Sequence, residues 1–270
     1  MAQRKTILIT GAAGNLGSKL RQHWQGAYDL RLLDIDPRGD AAVVQTDLSR
    51  WDMGWVQRFR DVDTVVHLAA DPMAHVTWPK LIGPNIDALI NVFQASAQSK
   101  VQRVIFASSN HVMGGHQDEA LRALTRGPGH PGSPFMLTTD IPPKPGTHYV
   151  VEGEQRDSTP YGSGKLFGER LGKCYSEIYG MSVIAVRIGW VKAGPNRPQD
   201  IPPERGPWFR LMWLSNRDFC QLMTRCVEAD PSLRFAVING MSANTGMPWD
   251  IERTKKLVGY EPRDDVTRGE

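Results

Sequence analysis

Short β-branched apolar runs alternate along the chain with longer stretches whose apolar residues recur every three or four positions. Residues 6–10, 30–33, 64–68, 104–107 and 183–188, with a shorter pair at 43–44, read as strands. Between them, 16–22, 55–59, 86–97 and 161–179 carry the helical period, and one more helix is expected near 218–229. Strand and helix in alternation imply an α/β protein with a parallel sheet covered on both faces. Ligands of such sheets bind at the carboxyl ends of the strands.

Two segments break the pattern. Residues 114–160 are rich in Pro and Gly (RGPGHPGSP, IPPKPG) and too long for an ordinary connection, which makes them a candidate lid or substrate loop. A second irregular stretch, AGPNRPQDIPPERGPWFR, covers 193–210. Phe135, Tyr149 and Trp208 give these segments something to pack. One domain over 1–270 is expected, with substrate-binding elements drawn from about 114–160 and 190–270.

Composition narrows the partners. The chain is 40% hydrophobic and 23% charged with a net charge of +3, ordinary for a globular protein, and its basic residues never form a dense run. The eight Trp and six Tyr are not interleaved with Lys or Arg, so no nucleic-acid platform is expected. The opening MAQRKTILITG has three consecutive apolar residues, Ile7 to Ile9, too short for a signal peptide or a span; no membrane association and a cytoplasmic protein are expected. Cys174, Cys220 and Cys226 suit neither a disulfide framework nor a metal clip, and the seven histidines form no HxxxH or HExxH pair, so no metal is expected.

Candidate chemistry begins after the first strand. Gly11-Ala12-Ala13-Gly14-Asn15-Leu16-Gly17 is a GxxGxxG that opens a helix, where glycines permit a tight turn and let backbone N–H groups approach a pyrophosphate. Asp34 ends the second strand about 20 residues on, as the dinucleotide fingerprint requires. Its carboxylate can accept both ribose hydroxyls and repel a 2′-phosphate, which favours NAD over NADP; Arg38 could instead pair with that phosphate. Asp36 can be a plain turn residue. Asp47 and Leu48 follow the third strand, where they could reach the adenine edge, although Asp47 suits an N-cap equally.

Tyr161-Gly162-Ser163-Gly164-Lys165 is a YxxxK, which on a helix places both functional side chains on one face. An ammonium near a phenol stabilises the phenolate and makes a general base that can take an alcohol's proton while hydride leaves the carbon. The two intervening glycines, costly inside a helix, predict close backbone approach. Phe106-Ala107-Ser108-Ser109-Asn110-His111 ends the fifth strand where a nicotinamide would lie. Ser109 could donate to the oxygen that Tyr161 deprotonates, Asn110 and His111 could bind further hydroxyls or a carboxylate, and Ser108 is expected to bond backbone.

TGAAGNLG, Asp34, HLAA at His67 to Ala70, SSNH and YGSGK together resemble the extended short-chain dehydrogenase/reductases of the NAD-dependent epimerase/dehydratase superfamily. FASSNH, YGSGKLFGE, VRIG and WLSNRDF are similar to the NAD-dependent uronate dehydrogenases over nearly the whole chain. The resemblance implies a Rossmann-type doubly wound sheet with a small C-terminal substrate-binding extension, a carbohydrate substrate and a homo-oligomer. It implies catalytic Ser109, Tyr161 and Lys165, and an NAD site of Gly11, Gly14, Asn15, Leu16, Gly17, Asp34, Asp47, Leu48, Leu68, Ala69 and Ala70, completed by Tyr161 and Lys165. Asn110, His111 and Trp190 fall at sugar contacts, and Arg210, or its neighbour Arg205, at the arginine that binds a uronate carboxylate. This chain departs from the family in its longer 114–160 segment, in bulky Trp190 where the family has a small polar residue, and in Asp71-Pro72 after HLAA. Oxidation of the anomeric carbon of a uronate or related aldose to a lactone is the leading expectation. A nucleotide-sugar epimerase or dehydratase would need a larger C-terminal region, and a non-catalytic dinucleotide-binding regulator would need only the glycine loop and Asp34.

Overall fold

A computed structural model describes residues 4–120, 136–151 and 153–268. The first half runs β1 (Thr6–Thr10), α1 (Asn15–Trp24), β2 (Asp29–Asp34), β3 (Val43–Gln45), α2 (Met53–Val56), β4 (Thr64–His67), α3 (Trp78–Leu81), α4 (Ala88–Gln98) and β5 (Arg103–Ser109). Then come β6 (His148–Val151), β7 (Glu154–Asp157), α5 (Thr159–Tyr179), β8 (Ser182–Ile188), α6 (Gly206–Leu211), α7 (Asn216–Glu228), β9 (Phe235–Gly240) and α8 (Glu252–Val258). A π-helical stretch, Ile82–Asp87, joins α3 to α4. Residues 121–135 of the expected substrate segment, Phe135 included, lie outside the described residues, as does the side chain of Tyr149.

Seven strands form one parallel sheet in the order β3-β2-β1-β4-β5-β8-β9, a Rossmann-type doubly wound arrangement. The edge strand β9 escapes prediction because Phe235-Ala236-Val237-Ile238 is as short as a turn of buried helix. The hairpin of β6 and β7 escapes it because Glu154-Gln155-Arg156-Asp157 is polar throughout.

Successive residues of each strand feed opposite layers. Ile7, Ile9, Ile105, Ile184 and Val186 pack with Leu20 and Trp24 of α1 and with Phe219, Leu222 and Met223 of α7. Leu8, Val65, Val104 and Val183 pack on the other face with Val92 and Phe93 of α4 and Trp55 of α2. Every residue of β5 and β8 is buried, and each large apolar side chain so placed contributes about 1.5–3 kcal/mol. A separate cluster joins Val112 and Leu137 to Trp208, Met212 and Trp249, with Trp208 and Trp249 at 4.4 Å between ring centroids. It forms the small C-terminal extension.

The strand order reverses direction between β1 and β4. That reversal opens a crevice at the carboxyl ends of the strands, where the glycine loop, the residues after β4 and the end of β5 meet.

Candidate active site

A cleft of about 860 Å³ occupies the crevice and runs from Asp34 and Arg38 at one end to Tyr161, Trp190 and Phe209 at the other. Gly11, Gly14, Asn15, Leu16 and Gly17 border its floor, with Leu68, Ala69 and Ala70 beside them. Gly11 sits at φ +71°, and a Cβ there would stand 2.8 Å from the Ala69 nitrogen. A Cβ on Gly17 would stand 2.2 Å from the Gly11 carbonyl oxygen, so only glycine lets α1 start this close to β1. Amide donors of the first turn of α1 lack intrahelical acceptors, and the helix N-terminus favours an anion at this border of the cleft. The Asp34 carboxylate accepts from the amides of Ala13 (2.8 Å) and Asp36 (3.1 Å), which fixes it at the cleft edge with lone pairs to spare. Asp47 and Leu48 line the same end, and Asp47 accepts from the backbone and hydroxyl of Ser49. Asp36 accepts from the Arg38 amide and closes a turn. This cradle of amides with an acid at its far end fits a dinucleotide.

At the other end Ser109, the last residue of β5, and Tyr161, in the first turn of α5, meet. Both line the cleft, and Ser109 Oγ accepts from the His111 amide at 3.2 Å. Lys165 is buried; its Nζ donates to the Ala107 carbonyl at 2.8 Å and stands 5.6 Å from the Tyr161 ring centroid and 5.2 Å from that of Phe106. Burial pushes the phenol up to about 12, opposed by the nearby Ser109 hydroxyl and reinforced by the charge of Asp71. Burial lowers Lys165 to about 8. At Tyr161 burial outweighs the stabilisation of the phenolate expected from Lys165.

The His111 ring meets the Tyr161 ring edge-on at 5.5 Å, and its Nδ1 pairs with Ser158 Oγ at 3.0 Å. Burial takes His111 down to about 4, so the imidazole is neutral. Asn110 donates to the Ile188 carbonyl at 3.2 Å, and both residues line the cleft. Trp190 packs on Phe209 at 4.8 Å and, with Met212, makes an apolar wall.

Of the two glycines between Tyr161 and Lys165, Gly162 shows the expected close backbone approach, whereas a Cβ on Gly164 would meet only side chains, Leu81 Cδ2 nearest at 3.2 Å. A Cβ on Gly162 would stand 2.6 Å from the His111 carbonyl oxygen, and one on Gly168 2.4 Å from the Phe106 ring. Ser108 bonds a side chain instead of backbone: its hydroxyl donates to Glu169 at 2.7 Å, and Glu169 takes two bonds of 2.8 Å from Arg187. This buried trio ties β5, α5 and β8 together beneath the reactive end. Glu169 follows Lys165 by four residues on the same helical face, a spacing that was available to find it. Arg210 is not among the residues lining the cleft; its Nη2 donates to the Val266 carbonyl at 2.8 Å. Arg205 does not line it either, and lies on the Phe209 ring with Cζ 5.0 Å from the centroid.

Residues 7–209 match the model of the NAD dependent epimerase/dehydratase family. The chain belongs to this family. NAD is the family's cofactor, and the amide cradle with Asp34 fits it. Among curated proteins the family member is 32% identical to an NAD-dependent glucose-6-phosphate dehydrogenase of Haloferax volcanii, over 96% of this chain and 93% of that one. It is 31% identical to an L-arabinose 1-dehydrogenase (NAD(P)(+)) of the same organism, over 96% of each chain. Among solved structures it is similar to a variant uronate dehydrogenase of Agrobacterium tumefaciens complexed with NAD, at 28% identity and a TM-score of 0.74, covering 97% of this chain and 86% of that one.

Among the described residues no helix is long and apolar enough to cross a membrane, and no group of His, Cys, Asp or Glu could hold a metal ion.

Proposed function

We propose that the protein is an NAD-dependent sugar dehydrogenase that oxidises the anomeric carbon of a uronate or related aldose to the lactone. The observation that carries this reading is the meeting of Ser109 and Tyr161, with Lys165 one turn further along α5 and its Nζ 5.6 Å from the Tyr161 ring centroid, at the opposite end of the cleft from Asp34. Similarity to three sugar dehydrogenases of differing substrate supports the reaction more than any one sugar.

The anomeric hydroxyl lies between the two side chains. Ser109 donates to its oxygen and fixes its orientation, and Tyr161 takes its proton as the carbon–oxygen bond becomes a carbonyl. NAD, when bound, supplies the acceptor for the hydride that leaves the same carbon. Lys165, anchored on Ala107, holds positive charge against the Tyr161 ring and helps the phenol give up its own proton. Asn110 and His111 hold further sugar hydroxyls.

A screen of NAD reduction with uronates, neutral aldoses and simple alcohols tests the reaction, and Tyr161→Phe tests the assignment. The variant is expected to lose at least about a hundredfold in turnover, the scale of general acid–base assistance, with NAD affinity nearly unchanged. Near-normal rates in the variant would move the base to another residue, with His111 the first alternative.

A further inference from the structure

The substrate end of the cleft carries a carboxylate that the reaction itself does not call for. Asp71 follows β4 and lines the cleft near enough to Tyr161 for its charge to act on the phenol. Its position is fixed from behind. The Asp71 amide donates to Asn85 Oδ1 at 2.7 Å, and its carbonyl accepts from Asn85 Nδ2 at 3.1 Å. Asn85 is buried in the π-helical stretch before α4. The carboxylate accepts one bond, from the Met73 amide at 2.9 Å, which leaves acceptor capacity facing the cleft.

One positive charge lines the cleft at this end among the described residues, that of Lys165, buried against the Tyr161 ring. Lys165 is committed to Ala107, Arg38 stands beside Asp34 at the other end, and neither Arg205 nor Arg210 lines the cleft. His111 is neutral because it is buried. Trp190, Phe209 and Met212 line the same cleft. An aromatic wall takes the C–H face of a sugar ring, and a carboxylate takes its hydroxyls. A carboxylate or phosphate on the sugar would meet Asp71 as a like charge in a partly desolvated space, a cost that acts as discrimination.

We propose that the substrate is an uncharged aldose, with Asp71 accepting a hydrogen bond from one of its hydroxyls and excluding sugars that carry a carboxylate or phosphate. The inference rests on anomeric oxidation as the reaction and selects among its substrates.

The test compares kcat/KM for NAD reduction with D-galactose and L-arabinose against D-galacturonate and glucose 6-phosphate, in the wild type, Asp71→Asn and Asp71→Ser. Galactose and galacturonate differ only at C6. The wild type is expected to favour the neutral sugars by about tenfold or more. Either substitution should shrink that ratio by a similar factor, through slower use of neutral sugars and faster use of acids, with the NAD dissociation constant unchanged. Preference for galacturonate or glucose 6-phosphate in the wild type overturns the inference and leaves the dehydrogenase reading intact. So does an unchanged ratio in a variant that still binds NAD. If no sugar is oxidised, the dehydrogenase reading fails and the inference with it. The wild-type ratio decides the matter even if both variants fail to fold.

Discussion

A residue's neighbours in sequence and its neighbours in space assign Arg210 different roles. By its place before Trp213 and Ser215 it matches an arginine that would grip a uronate carboxylate; in the fold its guanidinium is exposed and bonds the Val266 carbonyl. Phe209, one position earlier, turns into the cleft instead, as consecutive residues on a helix face different directions. Arg210 therefore fastens the carboxyl-terminal segment to α6. Arg210→Ala is expected to cost about 1 kcal/mol of stability, the worth of one partly exposed hydrogen bond. Its kcat/KM for sugars should stay within about twofold of the wild type. Urea unfolding and steady-state rates on the same preparation separate the two roles: a large kinetic loss that spares neutral sugars and falls on acids alone would restore the carboxylate clamp. The residues legible from sequence, Gly11, Asp34, Ser109, Tyr161 and Lys165, share one property. Each is positioned by the end of its own strand or by its own helical turn. Asp71 with Asn85, and Glu169 with Arg187, become pairs only through tertiary contact; the four-residue step from Lys165 puts Glu169 on the face of α5 but does not name its partner.

Helix α5 carries Tyr161 and Lys165, the proposed catalytic pair, on one face and is held by glycines on the side that meets the sheet. Gly168 lets the Phe106 ring lie against the helix backbone, and that ring in turn lies under Lys165 and stacks on His67. Gly168→Ala gains helix propensity of about 1 kcal/mol. Its Cβ would stand 2.4 and 2.5 Å from two Phe106 carbons in a packed core, where overpacking costs about 1–3 kcal/mol. The clash should win, because Phe106 is buried and wedged between Lys165 and His67 with no open space to rotate into. The variant is expected to unfold at lower urea and to lose turnover as the seat of Lys165 shifts. A stability equal to or above wild type would mean that α5 slides freely on the sheet and that glycine is not needed for the approach. The pattern of apolar residues predicts the existence of this helix and of six of the seven sheet strands. It does not predict β9, the polar hairpin, or the π-helical stretch before α4, whose Asn85 reaches back to Asp71.

At the scale of the whole molecule, the sheet holds a titratable group at its centre, and this makes acid a specific threat to the fold. His67 ends β4, between β1 and β5, with 2% of its surface exposed. Its Nδ1 pairs with Thr10 Oγ1 at 2.7 Å. Burial, aided by the charge of Lys165, lowers it to about 3. In the unfolded chain the same imidazole titrates near its ordinary value of about 6.5. Between these values the unfolded state holds a proton that the folded state refuses, so stability is full above pH 6.5 and falls as the pH drops toward 3. At pH 5 the loss from His67 alone is about 2 kcal/mol, and His111, lowered in the same direction by burial, adds to it. Urea unfolding at pH 7.5 and pH 5.0 should therefore show the wild type losing more stability than His67→Gln, which cannot titrate, by about that amount. The substitution itself costs packing against Phe106, so the comparison is the change with pH within each protein and not the stability at either pH. Equal pH dependence in the two proteins would mean that His67 is protonated in the folded state or reached by water, and that the centre of the sheet is less dry than its packing against Phe106 and Thr10 implies.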